Sequence, residues 1–413
     1  MKPASLTLLA CCLLASTGSP AQQTDTGSTT LSGFGTLAGV YNSDPNAGFR
    51  QDIGQPGEPG RHYNWKPDSR IGVQITHYFS PQLQFSGQMV AKDTSAHAPT
   101  DIITRAFVAY RPNEDWMLRV GRLADSTFLM SDYMEVGYSY PWVRPPLEAY
   151  GLIGTASFDG VDVQYRLFGS DWRLKLMGGR TQTRLPTPGY PDYHLNARPL
   201  RGIALIHDSG EWKFRLGHNQ LKLQNAGSVD QQLNAALGPI AGAGIPGVSS
   251  EAASYLDSIP LAQAHLRFTS VGVSYDNPQW FMQAEVSRLD SCSKGSSRGY
   301  QGYLGAGLHL GTWTPYFLLS RAHASRVQAP EHDWGSASPA QTLALSVINL
   351  SRSDQDSISL GIRRELDERS ALKLQWDQVR VHDMGWRLWS MAPNADQQGR
   401  RLNLITLSLD FIF

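Results

Sequence analysis

Apolar and polar residues alternate with a period of two along most of this chain. At the C-terminus, the apolar positions of LITLSLDFIF fall on every second residue from Ile405 to Phe413, and Thr406, Ser408 and Asp410 fall between them. A period of two with one apolar face is typical of a β-strand that separates two different environments. The C-terminal segment is therefore predicted to be such a strand.

The same alternation predicts sixteen strands in total. They lie near residues 31–42, 69–79, 83–92, 101–111, 115–122, 160–168, 171–179, 199–208, 211–221, 265–276, 280–289, 299–310, 313–321, 356–365, 371–381 and 402–413. Short connections such as SPQ, FGSD and HDSGE carry the residues that tight turns select. The long connections between them are residues 43–68, 93–100, 123–159, 180–198, 222–264, 290–298, 322–355 and 382–401.

This regular change between short and long connections indicates how the strands are arranged. Hairpins with short turns on one side and long loops on the other are typical of an all-β, antiparallel up-and-down barrel that spans the bacterial outer membrane. Aromatic residues beside the short turns, including Trp116, Trp172, Trp212, Trp280 and Trp313, fit the girdle expected where hydrocarbon meets water. Sixteen strands are enough to leave an aqueous channel.

Composition and the N-terminus change this picture only in detail. The chain has 36 basic and 36 acidic residues, so no charge excess favours nucleic acid as a partner. Residues 1–21 are predicted to be a signal peptide, with Lys2 before the apolar stretch and Ser19-Pro20-Ala21 at its end. Residues 22–413 then form a single barrel domain. Its one cysteine, Cys292, excludes an internal disulfide or a cysteine metal site, and we expect no metal and no cofactor.

The chain resembles the Gram-negative outer-membrane porins over most of its length. The resemblance lies in the opening strand LSGFGTLAGVY, the hairpin FDGVDVQYRLFG, the strand WTPYFLLSRA and the terminal Phe413. It implies passage of small hydrophilic solutes, a homotrimer in outer-membrane lipid, and a C-terminal aromatic residue that is read by the barrel-assembly machinery. It also implies that the third long loop folds into the lumen and forms a constriction.

That loop, residues 123–159, has a composition that suits the implied role. Three prolines stiffen its backbone, and rings such as Tyr140 and Trp142 are suited to packing on the inner wall. We expect its charged residues to face the open channel; these are Asp132, Glu135, Arg144 and Glu148. The alternative is a loop that folds over the mouth or grips a neighbouring subunit.

If the more polar face of each strand lines the lumen, that face is rich in basic residues. They are Arg70, Lys92, Arg119, Arg166, Arg173, Lys175, Lys213, Arg215, Arg321, Arg363 and Lys373. A narrow passage with such walls concentrates anions, so a mild anion preference is expected. The alternative is that loop carboxylates neutralise the wall.

Other functions are weaker hypotheses on sequence alone. A channel specific for one anionic solute would use the same basic residues as discrete binding sites. A barrel enzyme is disfavoured because none of the eleven histidines lies in a recognisable catalytic motif. An adhesin would use the long loops. The loop 222–264, which includes GPIAGAGIPGVSS, reads as flexible and its role stays open.

Overall fold

A computed structural model describes residues 26–95, 99–152, 157–186, 192–225, 228–296, 298–325, 328–392 and 395–413; the predicted signal peptide lies outside them. The described residues form one closed barrel of sixteen antiparallel strands. The strands are β1 (Thr29–Asn42), β2 (Arg70–Tyr78), β3 (Leu83–Lys92), β4 (Ile103–Tyr110), β5 (Trp116–Ala124), β6 (Ser157–Arg166), β7 (Trp172–Leu185), β8 (Tyr193–Ser209), β9 (Trp212–Leu223), β10 (His265–Asp276), β11 (Trp280–Ser291), β12 (Gly299–Leu308), β13 (Trp313–Ala324), β14 (Ser353–Asp367), β15 (Ser370–Trp386) and β16 (Arg400–Ile412).

The first strand closes the barrel by pairing on both sides. Its residues 29–36 pair with β2, and the segment from Phe34 to Asn42 pairs with β16 between Ile412 and Leu404. Strands β2 to β15 each pair with their two neighbours in the chain. The predicted fold is thereby confirmed, with short turns at one end and long loops at the other.

Several strands are longer than predicted, among them the neighbouring strands β7 and β8. The structure extends β7 to Leu185 and begins β8 at Tyr193, whereas the pattern predicted strands only at 171–179 and 199–208. The alternation is obscured there by Gly178 and Gly179 and by an irregularity in the pairing between Ala197 and Leu200. Backbone pairing continues through these positions although side-chain polarity no longer marks it.

The outer wall of the barrel is apolar. Outward residues such as Leu37, Val271 and Leu407 are exposed, while their neighbours in the strand are covered inside the barrel. Exposed rings beside the short turns, among them Trp116 and Trp280, form the predicted aromatic rim. In the described part of the chain, no helix has the length and hydrophobicity needed to cross a membrane.

The long loops carry most of the remaining regular structure. Helices form at α1 (Leu147–Tyr150), α2 (Ser228–Ala241), α3 (Val248–Ser258) and α4 (Ser338–Leu350). Short 3-10 turns lie at Pro99–Ile102, Gly137–Ser139, Leu167–Gly169 and Gly335–Ala337; short strands lie at Ala47–Phe49, Tyr63–Asn64 and Trp389–Met391. The segment that read as flexible is partly helical, because α2 and α3 pack with α4 around buried side chains such as Leu237 and Ala252.

Candidate functional site: the lumen and the third loop

The third loop enters the lumen directly after β5. Asp125 accepts hydrogen bonds from the backbone and hydroxyl of Thr127, and Asn219 on β9 donates to the same carboxylate at 2.6 Å. Thr127 lies so close to β9 that a Cβ on Gly217 would come 2.5 Å from the Thr127 carbonyl oxygen. A glycine at position 217 therefore allows the loop to reach the opposite wall.

Residues 128–135, the crossing segment, then span the interior of the barrel. At one end, Arg215 on β9 donates to the Phe128 carbonyl at 2.8 Å, and Glu285 on β11 accepts from the Leu129 amide at 2.9 Å. At the other end, Glu135 pairs with Lys92 on β3 at 2.7 Å. These strands belong to different sides of the barrel, so the crossing segment divides the lumen.

Beyond the crossing segment, the loop runs along the inner face of β14, β15 and β16. The ammonium of Lys373 donates to the carbonyl oxygens of Gly137, Tyr140 and Trp142, each at 2.8 Å, and pairs with Asp410 at 2.9 Å. A lysine has three N–H donors, so these contacts use its full capacity and fix the path of the loop.

The aromatic residues of the loop pack on the wall, as expected for Tyr140 and Trp142. Both are fully buried, and Trp142 lies edge-on to Phe281 and Tyr316 with ring centroids 5.6 and 5.8 Å away. A Cβ on Gly305 would come within 2.6 Å of the indole. This side of the lumen, between the loop and β11–β15, is filled by packed side chains.

Three of the loop charges do not face an open channel, contrary to the expectation from sequence. Arg144 is buried between Asp68 and Asp377, with both ion pairs at 2.8 Å. Glu148 is 1 % exposed and accepts a hydrogen bond from Gln355 at 2.7 Å. Glu135 is also buried, on Lys92. A buried charge requires a partner, and the wall supplies one in each case.

The basic residues of the wall that bind the third loop point into the barrel, as predicted, but the loop covers them. Arg70 donates to the Tyr140 hydroxyl at 2.9 Å, and Arg363 donates to the carbonyls of Tyr138 and Tyr140. Lys92 and Lys373 are covered in the same way. These four inward residues hold the loop and do not line free space.

Arg321 is a correction to the predicted inner wall. Its strand neighbours Ser320 and Ala322 are buried inside the barrel, so Arg321 points outward. The prediction placed polar residues of each strand on the inner face. This rule fails for Arg321, because the residue lies near the loop end of β13, beyond the apolar band of the outer wall.

The inner wall from β4 to β9 is covered by the loop only in part. Lys175 and Arg215 are buried against Ser126 and Phe128 of the loop, whereas the side chain of Lys213 is 41 % exposed. The described residues place seven basic side chains on it, namely Arg105, Arg119, Arg166, Arg173, Lys175, Lys213 and Arg215. Four acidic side chains lie among them: Asp125 and Asp132 of the loop, Asp162 and Asp208. We call this surface the basic wall.

Ion pairs neutralise only part of the basic wall. Asp162 is shared by Arg119 at 2.6 Å and Lys175 at 3.3 Å, and Asp132 pairs with Arg215 at 3.3 Å. The side chains of Lys213 and Asp132 are 41 % and 29 % exposed, so water reaches this side of the interior. Burial by itself would raise the pKa of Asp132, but Arg215, Lys175 and the neighbouring arginines hold that pKa well below its ordinary value.

Two features of the lumen were missed by sequence reasoning. Asp68, which anchors Arg144, precedes β2 in an unremarkable turn. The loop-side mouth is narrowed by an apolar cluster in which Phe49, Leu147 and Trp389 come from the first, third and eighth loops. Both features depend on contacts between residues that are far apart in the chain.

The C-terminal residue lies against the first strand. Phe413 exchanges backbone hydrogen bonds with Gly33, at 2.7 and 2.9 Å, and its ring covers that glycine. The ring itself is exposed on the outer wall. Among the described residues, no group of three or more His, Cys, Asp or Glu side chains is arranged to hold a metal ion.

A sixteen-stranded barrel with its third loop folded into the lumen is the fold of the outer-membrane porins. Among solved structures, the chain is similar to the anion-selective porin from Comamonas acidovorans, with 13 % identity, 94 % of this chain and 100 % of that one covered, and a TM-score of 0.56. It is also similar to the outer-membrane channel DcaP of Acinetobacter baumannii, with 11 % identity, 96 % and 100 % covered, and a TM-score of 0.55.

A third similar structure is OmpF of Salmonella typhi in complex with daunomycin, with 10 % identity, 94 % and 98 % of the two chains covered, and a TM-score of 0.55. No family model and no curated protein sequence matches the chain. At these identities the likeness establishes the fold, and the function has to be argued from the lumen.

Proposed function

We propose that this protein is an outer-membrane porin that lets small hydrophilic solutes diffuse passively through the barrel, with a preference for anions. The basic wall is the observation that carries the proposal, because seven cationic side chains there face four carboxylates. A passage with low-dielectric walls concentrates ions of the opposite charge. The solute path runs between the basic wall and the crossing segment, which forms the constriction.

The apolar outer wall and aromatic rim support the membrane location, since such a surface requires lipid. We further propose that residues 1–21 direct export, that Phe413 is read by the barrel-assembly machinery, and that three copies assemble. The likeness to a porin described as anion-selective agrees with the charge of the wall.

Ion selectivity tests the proposal directly. The full chain is inserted in a planar bilayer under a KCl gradient, and the sign of the reversal potential is expected to report chloride preference. A variant with Arg166→Gln, Arg173→Gln and Lys213→Gln removes three partly exposed charges of the basic wall and is expected to shift the reversal potential towards zero or towards cation preference.

The matched control is Arg364→Gln, which removes an exposed arginine from the outer wall beside Trp313. This variant is expected to keep the reversal potential of the unmodified chain. Cation preference of the unmodified chain, or an equal shift in the control, contradicts the role of the basic wall. Absence of any conductance contradicts the porin function itself.

A channel specific for one anionic solute is the second candidate. The pairing of Arg166 with Arg173 favours it, because two cationic side chains lie next to each other on the inner wall. Block of the KCl current by a low concentration of one organic or inorganic anion distinguishes it from a general pore.

A further inference from the structure

The outer wall carries an unexplained row of arginines at its loop end. Strand pairing places Arg321 opposite Asp356, Asp356 opposite Arg380, and Arg380 opposite Arg401. These four residues lie side by side across β13, β14, β15 and β16 and share the outward face. We call them the arginine row.

The row has an excess of positive charge that the chain does not neutralise. Arg321 pairs with Asp356 at 2.5 Å and with Asp354 at 3.0 Å, and His382 also contacts the Asp356 carboxylate at 2.8 Å. The only carboxylate in the row is therefore already occupied. Arg380 and Arg401 are exposed and have no carboxylate partner among the described residues.

The pairing of Arg380 with Arg401 is unfavourable in the chain alone. Like charges directly opposite each other on adjacent strands destabilise a sheet. An anion that sits between the two guanidinium groups removes this repulsion. Arginine is suited to the task because its planar fork donates two parallel hydrogen bonds to a phosphate.

The height of the row on the barrel indicates where such an anion comes from. The next outward row towards the short turns is Leu319, Ile358, Gln378 and Asn403, and the one after it is Phe317, Leu360, Trp376 and Ile405. The arginine row thus lies just beyond the apolar band, about 7 Å further along the strands than the first of these rows. Lipid head groups lie at this depth.

We propose that the arginine row binds the phosphate groups of a phosphorylated lipid in the outer leaflet. Arg380 and Arg401 hold the phosphate, while Arg321 is fixed beside them by Asp354 and Asp356. This inference rests on the proposed outer-membrane location but not on conduction, since the row faces away from the lumen. Lipid acyl chains then cover Leu360, Trp376 and Ile405 below the head group.

Lipid binding by the folded full chain in a zwitterionic detergent tests the inference. The probes are lipid A that carries two phosphates, dephosphorylated lipid A, and inorganic phosphate, and native mass spectrometry measures the affinity. We expect the two-phosphate lipid to bind more tightly than the dephosphorylated one. In Arg380→Gln/Arg401→Gln its affinity is expected to fall about thirtyfold, since each basic residue near an anionic lipid surface contributes a factor of about five.

The control is Arg364→Gln, an exposed arginine of β14 at the opposite end of the outer wall, which is expected to leave lipid affinity unchanged. Heat-dependent gel mobility confirms that each variant is folded. Equal binding of dephosphorylated lipid A, or an unchanged affinity in the double variant, overturns the inference. Two other results also overturn it. Displacement of the lipid by low concentrations of inorganic phosphate indicates a site for free ions. A double variant that changes only the number of subunits in the assembly indicates a contact between copies.

Conductance keeps this test separate from the proposed function. The double variant is expected to conduct as the unmodified chain does. If the double variant loses lipid binding but keeps its chloride preference, both the lipid site and the porin function are supported. If the unmodified chain binds the lipid but does not conduct, only the lipid site is supported.

Discussion

At the scale of single residues, the interior is organised by buried charges with specific partners. Arg144 donates to Asp68 through two nitrogens and to Asp377 through a third, at distances of 2.8 to 3.1 Å. It also lies over the ring of Phe49, 4.8 Å from the centroid. One guanidinium thereby joins the third loop to β15, to the turn before β2 and to the first loop.

Replacement of this arginine by a neutral residue is expected to destabilise the barrel. In Arg144→Met, the carboxylates of Asp68 and Asp377 stay buried without their partner, which typically costs about 3–5 kcal/mol in the free energy of unfolding. Urea-induced unfolding of the refolded barrel measures the effect.

The matched control is Arg288→Met. Its arginine pairs with Asp290 on the surface, where the two side chains are 71 % and 47 % exposed. Exposed ion pairs contribute little to the free energy of unfolding. If both variants lose equal stability, the buried pairing of Arg144 does not hold the loop.

At the scale of elements, the fifth and seventh loops form a helical cap. Glu251 on α3 accepts hydrogen bonds from the indole of Trp334 at 3.0 Å, the Glu331 amide at 3.1 Å and the Tyr255 hydroxyl at 2.9 Å. Burial by itself would raise the pKa of Glu251, but these donors and His332 hold the pKa below its ordinary value of 4.5. One carboxylate therefore connects α3 to the segment that precedes α4.

The cap is expected to loosen at low pH. Because the folded-state pKa of Glu251 lies below its unfolded value, its contribution is complete above the ordinary pKa and is lost as the pH falls through the folded value. Hydrogen exchange of the α3 and α4 amides is expected to accelerate in this range. Glu251→Gln is expected to exchange faster already at pH 7, with a smaller response to acid.

Glu114→Gln, in an exposed turn at the other end of the barrel, serves as the control and is expected to leave α3 and α4 protection unchanged. If Glu251→Gln keeps both the protection and the acid response of the unmodified chain, the carboxylate does not hold the cap.

At the scale of the whole molecule, the barrel is asymmetric along its axis. The short-turn half of the interior presents the basic wall, while apolar side chains from three loops meet inner-wall residues at the other mouth. Trp389 is central to this closure, since it lies against Phe49 and Trp386 and donates to Gln355 at 2.8 Å. Contacts among three loops therefore narrow the loop-side mouth.

Truncation of Trp389 is expected to widen the mouth. Trp389→Ala removes a buried indole, and the single-channel conductance in KCl is expected to rise because the first and eighth loops lose a shared contact. The control is Trp65→Ala, which removes an exposed indole from the outer wall. An unchanged conductance in Trp389→Ala, with the barrel still folded, places the limiting constriction elsewhere.

The sequence predicted the barrel well because its signal is local. All sixteen predicted strands are present. The alternation within a segment such as 402–413 is enough to identify a strand between an apolar and a polar environment, whatever the rest of the chain does. The position of the third loop inside the lumen followed from a resemblance and from rings such as Trp142. Polarity failed only where the environment changes, as at Arg321, which lies above the apolar band.

The surroundings of the loop charges could not be predicted in the same way. The distance in sequence between Arg144 and Asp377 is 233 residues, and no local pattern relates the two. The arginine row is equally hidden, because it exists only when strand pairing aligns Arg380 with Arg401.

Strand number, turn placement and the apolar outside were thus determined by the sequence alone, because each depends on a few consecutive residues. Only the tertiary structure decided which charged side chains are buried and which are exposed to water. Arg144 and Lys213 are both inward cations, yet one is enclosed by two carboxylates and the other is 41 % exposed. The difference lies in where the third loop packs, and that depends on contacts from the whole barrel.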